Sequence, residues 1–234
     1  AQGHRISFFD HEMLGKQMWE RWVEDTMETA LRNEEFKVYL QPKYSPVNNK
    51  LVGAEALVRW VSPEEGVIVP RRFIPIFEST GFITRLDDYM ISHVAKLLAE
   101  WTIQGKKTVP VSINVSRAHF SQEGVAERIC QLVDAYGPQH ELIELEVTEG
   151  AFFDDKDILV ETVKQLRSYG FGVSMDDFGA GYSSLNSLKD IPLDVLKLDG
   201  DFFRGDDDGR GQIIIKEAIR LARSLDMRVV AEGI

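Results

Sequence analysis

The chain has 234 residues, 44% of them hydrophobic, and sets 38 acidic against 27 basic side chains for a formal charge of −11. That is enough apolar material for one large core, and the acid excess excludes a protein whose affinity for DNA or RNA comes from a phosphate-neutralising surface. A single cysteine, Cys130, excludes an internal disulfide and any multi-cysteine zinc site.

No apolar run approaches the roughly 18 residues of a membrane-spanning helix, and the opening "AQGHRISFFDHEM" has no charged-then-apolar signal pattern. A cytoplasmic location is expected for this domain, within a protein that could be membrane-tethered elsewhere. From Leu14 to Leu31 apolar residues recur at helical spacing, including Met18, Trp22, Val23, Met27 and Ala30. Residues 1–33 therefore read as an N-terminal helix or linker, and 34–234 as the main domain.

"FKVYLQPKYS" predicts a strand, Asn48 and Asn49 a turn, and "KLVGAEALVRW" the next strand. "SPEEGVIVPRRFIPIFESTG" reads as a loop with one short helix. "LDDYMISHVAKLLAEW" is a stronger helix, with Met90, Val94, Leu97, Leu98 and Trp101 on one face and Gly105 beyond its end. Strand-like and helix-like runs then alternate. "TVPVSINVS" precedes "VAERICQLVDAYG", where the spacing of Cys130 with Val133 predicts a buried thiol. "LIELEVTEG" precedes "ILVETVKQLRSYG", and "FGVSMDDFG" precedes a short helix near "SSLNSLKD". "LDVLKLDGDFF" precedes "IIIKEAIRLARSL", and "MRVVAEGI" comes last. Alternation bounded by glycine is the signature of βαβ units and a parallel sheet. The strands read as continuously apolar, as a sheet covered on both faces requires.

Polar residues interrupt these runs at or near the strand ends: Glu55, Asn114, Glu146, Asp176 with Asp177, Lys197 and Glu232. Reactive groups at the C-terminal ends of many strands define the mouth of a (β/α) barrel, whereas an open sheet gathers them at one switch point. Each residue alone has a bland reading, as a solvated strand residue, a turn former or a helix cap. Together they are five acids, an amide and a lysine in a sheet with little solvent, and buried charges must be paired or bind metal. Oxygen donors without histidine suit Mg²⁺ or Mn²⁺ over zinc, and the number of acids favours two ions with Asp176 able to bridge. Two such ions clamp the attacking and leaving oxygens of a phosphoryl displacement. Lys197 would offset developing phosphate charge or orient water, and Arg59 has the fork geometry for a phosphate oxygen. The five histidines form neither an HExxH nor a paired His–Asp motif, and no GxxxxGK[ST] run occurs.

Residues 34 onward closely resemble the EAL domain family of cyclic-di-GMP phosphodiesterases. The resemblance rests on "EEFKVYLQPKYS", "GAEALVRW", "FIPIFESTGFI", "VSINVS", "LEVTE", "MDDFGAGYSSLNSL", "LKLDGDFF" and "VVAEG", all in order. It implies a TIM-like barrel whose first strand runs antiparallel to the others. It also implies hydrolysis of cyclic-di-GMP to linear pGpG with two Mg²⁺ or Mn²⁺ ions. By motif, Glu55, Asn114, Glu146 and Asp176 resemble ligands of one metal, with Asp176 bridging to a second that Asp177 helps hold. Lys197 resembles the lysine near the nucleophilic water, Glu232 the glutamate near the second metal, and Glu149 the anchor of the loop after "DDFG". Arg59 and Gln41 are the substrate-contact candidates. The helix after that loop implies a homodimer contact, and residues 1–33 resemble the connector from an upstream diguanylate cyclase or sensor domain. The family pattern continues past Ile234 to an eighth strand, so the barrel is expected to be incomplete in this chain. A non-catalytic EAL module that binds the dinucleotide or a partner protein is the alternative to an enzyme.

Overall fold

The computed structural model describes residues 11–120, 122–148, 150, 156–179, 185–203 and 210–233. They fall into two compact units, the described part of Ala1–Lys37 with Val58–Phe82, and Val38–Leu57 with the described part of Ile83–Ile234.

The first unit holds the helix α1 (His11–Arg32), the helix α2 (Ile74–Thr80) and the short strand β3 (Gly66–Ile68). β3 pairs antiparallel with the end of the longer strand β2 (Leu51–Ser62), Trp60 opposite Ile68. Its core is aromatic. Phe36, Trp60, Phe73 and Phe77 are all buried, with ring centroids 5.2 to 6.1 Å apart in tilted or edge-on pairs, the geometry that ring quadrupoles favour. The indole of Trp60 donates to Glu35 at 2.9 Å, so its one polar atom is satisfied. Trp22 of α1 stacks on Trp60, and Val23 and Ala30 are buried, so α1 is a docked helix with one apolar stripe. β3 and the helical turn at Pro70–Arg72 lie where the sequence suggests only a loop with one helix.

The second unit is a curled sheet flanked by helices. Its strands are β1 (Phe36–Tyr44), β2, β4 (Val111–Asn114), β5 (Ile143–Thr148), β6 (Gly172–Phe178), β7 (Val195–Leu198) and β8 (Arg228–Ala231). They follow one another in the order β1-β2-β4-β5-β6-β7-β8. Every pair from β2 to β8 along this path is parallel. β1 and β2 are joined by a turn in which Ser45 N–H donates to the Lys50 carbonyl, a connection short enough only for antiparallel neighbours. The crossovers include α3 (Ile83–Ile103), α4 (Arg117–Phe120), α5 (Val125–Asp134), α6 (Lys156–Ser168), α7 (Leu185–Asp190) and α8 (Arg210–Ser224). α3 buries Met90, Ile91, Val94 and Leu98, as its periodicity predicts. α4 is too short to carry a period. Gly53 in β2 permits a close approach, since a Cβ there would meet the Pro110 carbonyl at 3.2 Å.

One expectation needs correction. The strands are not continuously apolar: they alternate. Val111, Ile113, Leu145, Val147, Val173, Met175, Leu196 and Leu198 are buried, and between them stand Ser112, Asn114, Glu144, Glu146, Ser174, Asp176 and Lys197. With a side-chain period of two, one face meets the helices and the other turns polar groups to the inside of the curl. The sheet is a partial barrel: among the described residues its path runs from β1 to β8 without pairing the two ends.

Candidate active site

The polar face gathers around Lys197. Its Nζ lies 2.6 Å from Glu146 Oε2, 2.8 Å from Glu232 Oε1, 3.0 Å from Asp176 Oδ1 and 3.4 Å from Glu55 Oε2. The carboxylates come from β2, β5, β6 and the residue after β8, so residues far apart in sequence converge on one cation. Asn114, at the end of β4, donates from Nδ2 to Glu55 Oε1 at 3.0 Å. In register Asn114 stands opposite Glu146, and Thr148 opposite Asp176.

Asp177 reaches the same end of β6 by a backbone irregularity. The β6–β7 register shifts between Met175 and Phe178, and Asp177 has φ 56°. A bulge with a left-handed residue interrupts the alternation, so two successive carboxylates are presented together. Asp177 N–H donates to Asp176 Oδ1 at 2.9 Å. Burial, Asp176 and Asp199 raise the Asp177 pKa above the ordinary carboxylate value.

A second lysine, which the sequence reading did not single out, supports the cluster from below. Lys43 Nζ of β1 lies 2.7 Å from Ser112 Oγ, 3.0 Å from Glu146 Oε1 and 3.8 Å from Glu144 Oε1. Arg228 Nη2 lies 3.1 Å from the other oxygen of Glu144. Glu146 is thus gripped at each oxygen by a different ammonium. Burial alone would raise its pKa, but Lys197 and then Lys43 outweigh that and hold it low. Burial and the neighbouring Glu146 raise Glu55, against the pull of Lys197. Burial would discharge Lys197, but Glu146, Asp176 and Glu55 raise its pKa well above that of a free lysine, so it is a fixed cation. The V-S-I-N, I-E-L-E-V-T and V-S-M-D alternations were the signal that marks Ser112, Glu144 and Ser174 as inward.

Gln41 of β1 is exposed and lines a cleft of about 790 Å³ that Lys43, Glu55 and Glu232 also line. Arg59 belongs to the first unit, where its Nη1 donates to the Val58 carbonyl at 2.8 Å. Glu149 lies outside the described residues, as do residues 180–184 of the loop after "DDFG".

The donor set suits a hard dication. It is all oxygen, histidine-free, and already converges on a positive centre, the Lys197 ammonium. Among the described residues, Glu55, Glu146, Asp176 and Glu232 meet two ammonium groups, Lys197 and, on Glu146, Lys43, a formal charge of −2 before Asp177 is counted.

A partial parallel barrel that gathers acids from several strands at one place is the architecture of a barrel enzyme. The EAL domain family profile matches residues 24–234, and the chain belongs to that family. It is 32% identical over 232 residues to the cyclic di-GMP phosphodiesterase NbdA of Pseudomonas aeruginosa, covering 99% of this chain and 30% of that protein. It is 30% identical over 236 residues to the cyclic di-GMP phosphodiesterase PdeR of Escherichia coli, covering 100% of this chain and 35% of that protein. The chain therefore spans about a third of the length of these curated relatives. Among solved structures it is similar to the PaMucR phosphodiesterase in its c-di-GMP complex. The TM-score is 0.84 at 30% identity, over 91% of this chain and 87% of that one. Among the described residues no helix is long and apolar enough to cross a membrane.

Proposed function

We propose that this chain is a divalent-metal-dependent cyclic-di-GMP phosphodiesterase domain that adds water across one phosphodiester bond and releases linear pGpG. The observation that carries the reading is the convergence of four carboxylates from separate strands on Lys197. Relatives named as cyclic di-GMP phosphodiesterases at 30–32% identity support the substrate class.

Glu55, Asn114, Glu146, Asp176 and Asp177 would hold two Mg²⁺ or Mn²⁺ ions, with Asp176 between them. When bound, such ions supply Lewis acidity and lower the pKa of water. The chain's own groups do the rest. Lys197, beside Glu146, Glu232, Asp176 and Glu55, is the ammonium that would donate to developing phosphate negativity. Lys43 holds one oxygen of Glu146 while Lys197 holds the other and also meets Asp176 and Glu232. Glu232, part-exposed, faces the same ammonium and is placed to orient water at the cleft. Gln41 and Arg59 are the groups proposed to contact the dinucleotide. A homodimer contact through the α7 region and an upstream cyclase or sensor domain complete the reading.

Turnover of cyclic-di-GMP by the purified chain with Mn²⁺, followed by chromatography, tests it. The expected result is stoichiometric pGpG, lost in Glu55→Ala. Saturable cyclic-di-GMP binding without pGpG would establish the receptor reading instead.

A further inference from the structure

At the opposite end of the strands from the carboxylate cluster, three side chains of different chemistry meet. Cys130 and Asp134 stand one turn apart on α5, and His140 lies on the segment leading into β5. Their ligand atoms all fall within 4.8 Å of one another. Cys130 Sγ is 3.4 Å from Asp134 Oδ2, and His140 Nε2 is 2.8 Å from Asp134 Oδ1. Cys130 is half-buried, not the fully buried thiol its spacing predicts.

The orientation of His140 is fixed from behind. Its Nδ1 lies 2.6 Å from the Tyr169 carbonyl, and its ring stacks on Phe171 with centroids 4.4 Å apart. A carbonyl only accepts, so Nδ1 carries the proton and Nε2 of the neutral ring is a lone pair. Nε2 faces a carboxylate oxygen, also an acceptor, so the 2.8 Å contact takes a positive charge, either a second ring proton or a metal cation. A metal in place of that proton would also take up the thiol, which donates to the other oxygen of the same carboxylate. A backbone carbonyl holding the far nitrogen is how proteins orient a metal-binding imidazole. Glu127, one turn before Cys130, accepts from Tyr169 Oη at 3.3 Å and adds negative charge on the same helix face.

The geometry points to a metal site formed by Cys130, Asp134 and His140, selective for a borderline dication of the Zn²⁺ class and separate from the oxygen-only cluster at the mouth. Thiolate, imidazole and carboxylate suit zinc, with Co²⁺ as a spectroscopic substitute, and are a poor set for Mg²⁺. Three protein ligands leave one tetrahedral position for water. The bound ion would tie the end of α5 to the start of β5 and, through Tyr169, to the end of α6. The inference does not depend on the reaction at the other end of the sheet.

The test is a Co²⁺ titration of the metal-free chain with excess Mg²⁺ present to fill oxygen-rich sites. Cys130 is the one cysteine of the sequence, so a thiolate-to-cobalt charge-transfer band has a single source. We expect a band in the near ultraviolet saturating at one equivalent and bleached by Zn²⁺. It should vanish in Cys130→Ser, and the affinity should fall at least about tenfold in His140→Gln and in Asp134→Asn. Zn²⁺ should raise the thermal midpoint of the parent chain and not that of Cys130→Ser. Absence of the band overturns the site, and so does a band of undiminished affinity in His140→Gln, which would mean a lone thiol binding adventitiously.

Discussion

Lys197 Nζ and Glu146 Oε2 stand 2.6 Å apart, with only 1% and 0% of their side chains exposed. Removing the lysine would leave Glu146, Asp176, Glu55 and Glu232 facing each other, with Lys43 still on Glu146. Breaking a buried pair by removing one partner costs about 3–5 kcal/mol. Lys197→Met is therefore expected to lower the stability of the metal-free chain by about that much in urea melts, and saturating Mn²⁺ should restore part of it. A variant as stable as the parent without metal would show that the carboxylates do not need this cation.

Glu55→Ala and Asp176→Ala each delete an oxygen donor while leaving the outward apolar face untouched. Both should retain the parent circular dichroism spectrum, abolish turnover, and weaken Mn²⁺ binding in calorimetric titration by about 10- to 100-fold or more. Near-normal kcat at saturating Mg²⁺ in either variant would overturn the ligand assignment.

Lys43 gives the site a pH signature in the absence of metal. With Lys197 it holds Glu146 below its ordinary value of 4.5. A carboxyl lowered by folding adds stability that is fully present above the unfolded value and is lost as pH falls through the folded one. Lys43→Met should therefore be less stable than the parent at neutral pH, with the gap narrowing as pH drops below about 4.5. Glu55 is raised, so its contribution runs the other way, declining as pH rises through its folded pKa. Denaturant melts at several pH values in chelator check this; a gap independent of pH would refute the coupling.

The aromatic core of the first unit should behave as a packed interior. Phe77 is fully buried, touches the rings of Phe36, Trp60, Phe73 and Phe82, and has no polar atom to redirect. Phe77→Ala should cost about 3–5 kcal/mol, against under about 1.5 for Phe77→Leu if neighbours repack. Thermal melts of the two variants separate these values.

Much of this was legible in the sequence because the relevant signals are local. Apolar periodicity placed α1, α3, α5, α6 and α8, and an amide or carboxylate closing an apolar run placed Asn114 and Asp176 at or near strand ends, whereas Glu55 and Glu146, expected there too, stand inside β2 and β5. What escaped depends on partners distant in the chain. Lys43 sits in "QPKYS", which reads as the end of a strand, and only the curl of the sheet brings it to Ser112 and Glu146. Ser112, Glu144 and Ser174 were hidden by strands short enough for alternation to pass as a uniform apolar run. His140 is a loop residue by sequence, and its meeting with Cys130 and Asp134 exists only once α5 packs beside β5. The boundary between the two units falls inside β2, between Leu57 and Val58, where no Gly, Pro or polar stretch announces it.

The alternation along β4, β5 and β6 has a consequence for how errors are avoided. A slip of one residue in β5 or β6 would drive Glu146 or Asp176 among the helices and swing Leu145 or Met175 into the mouth. The misaligned state would bury bare carboxylates in hydrocarbon while wetting the residues meant to be dry. One spacing rule thus guards both solubility and chemistry, and a chain that assembles its sheet at all has already aimed its acids.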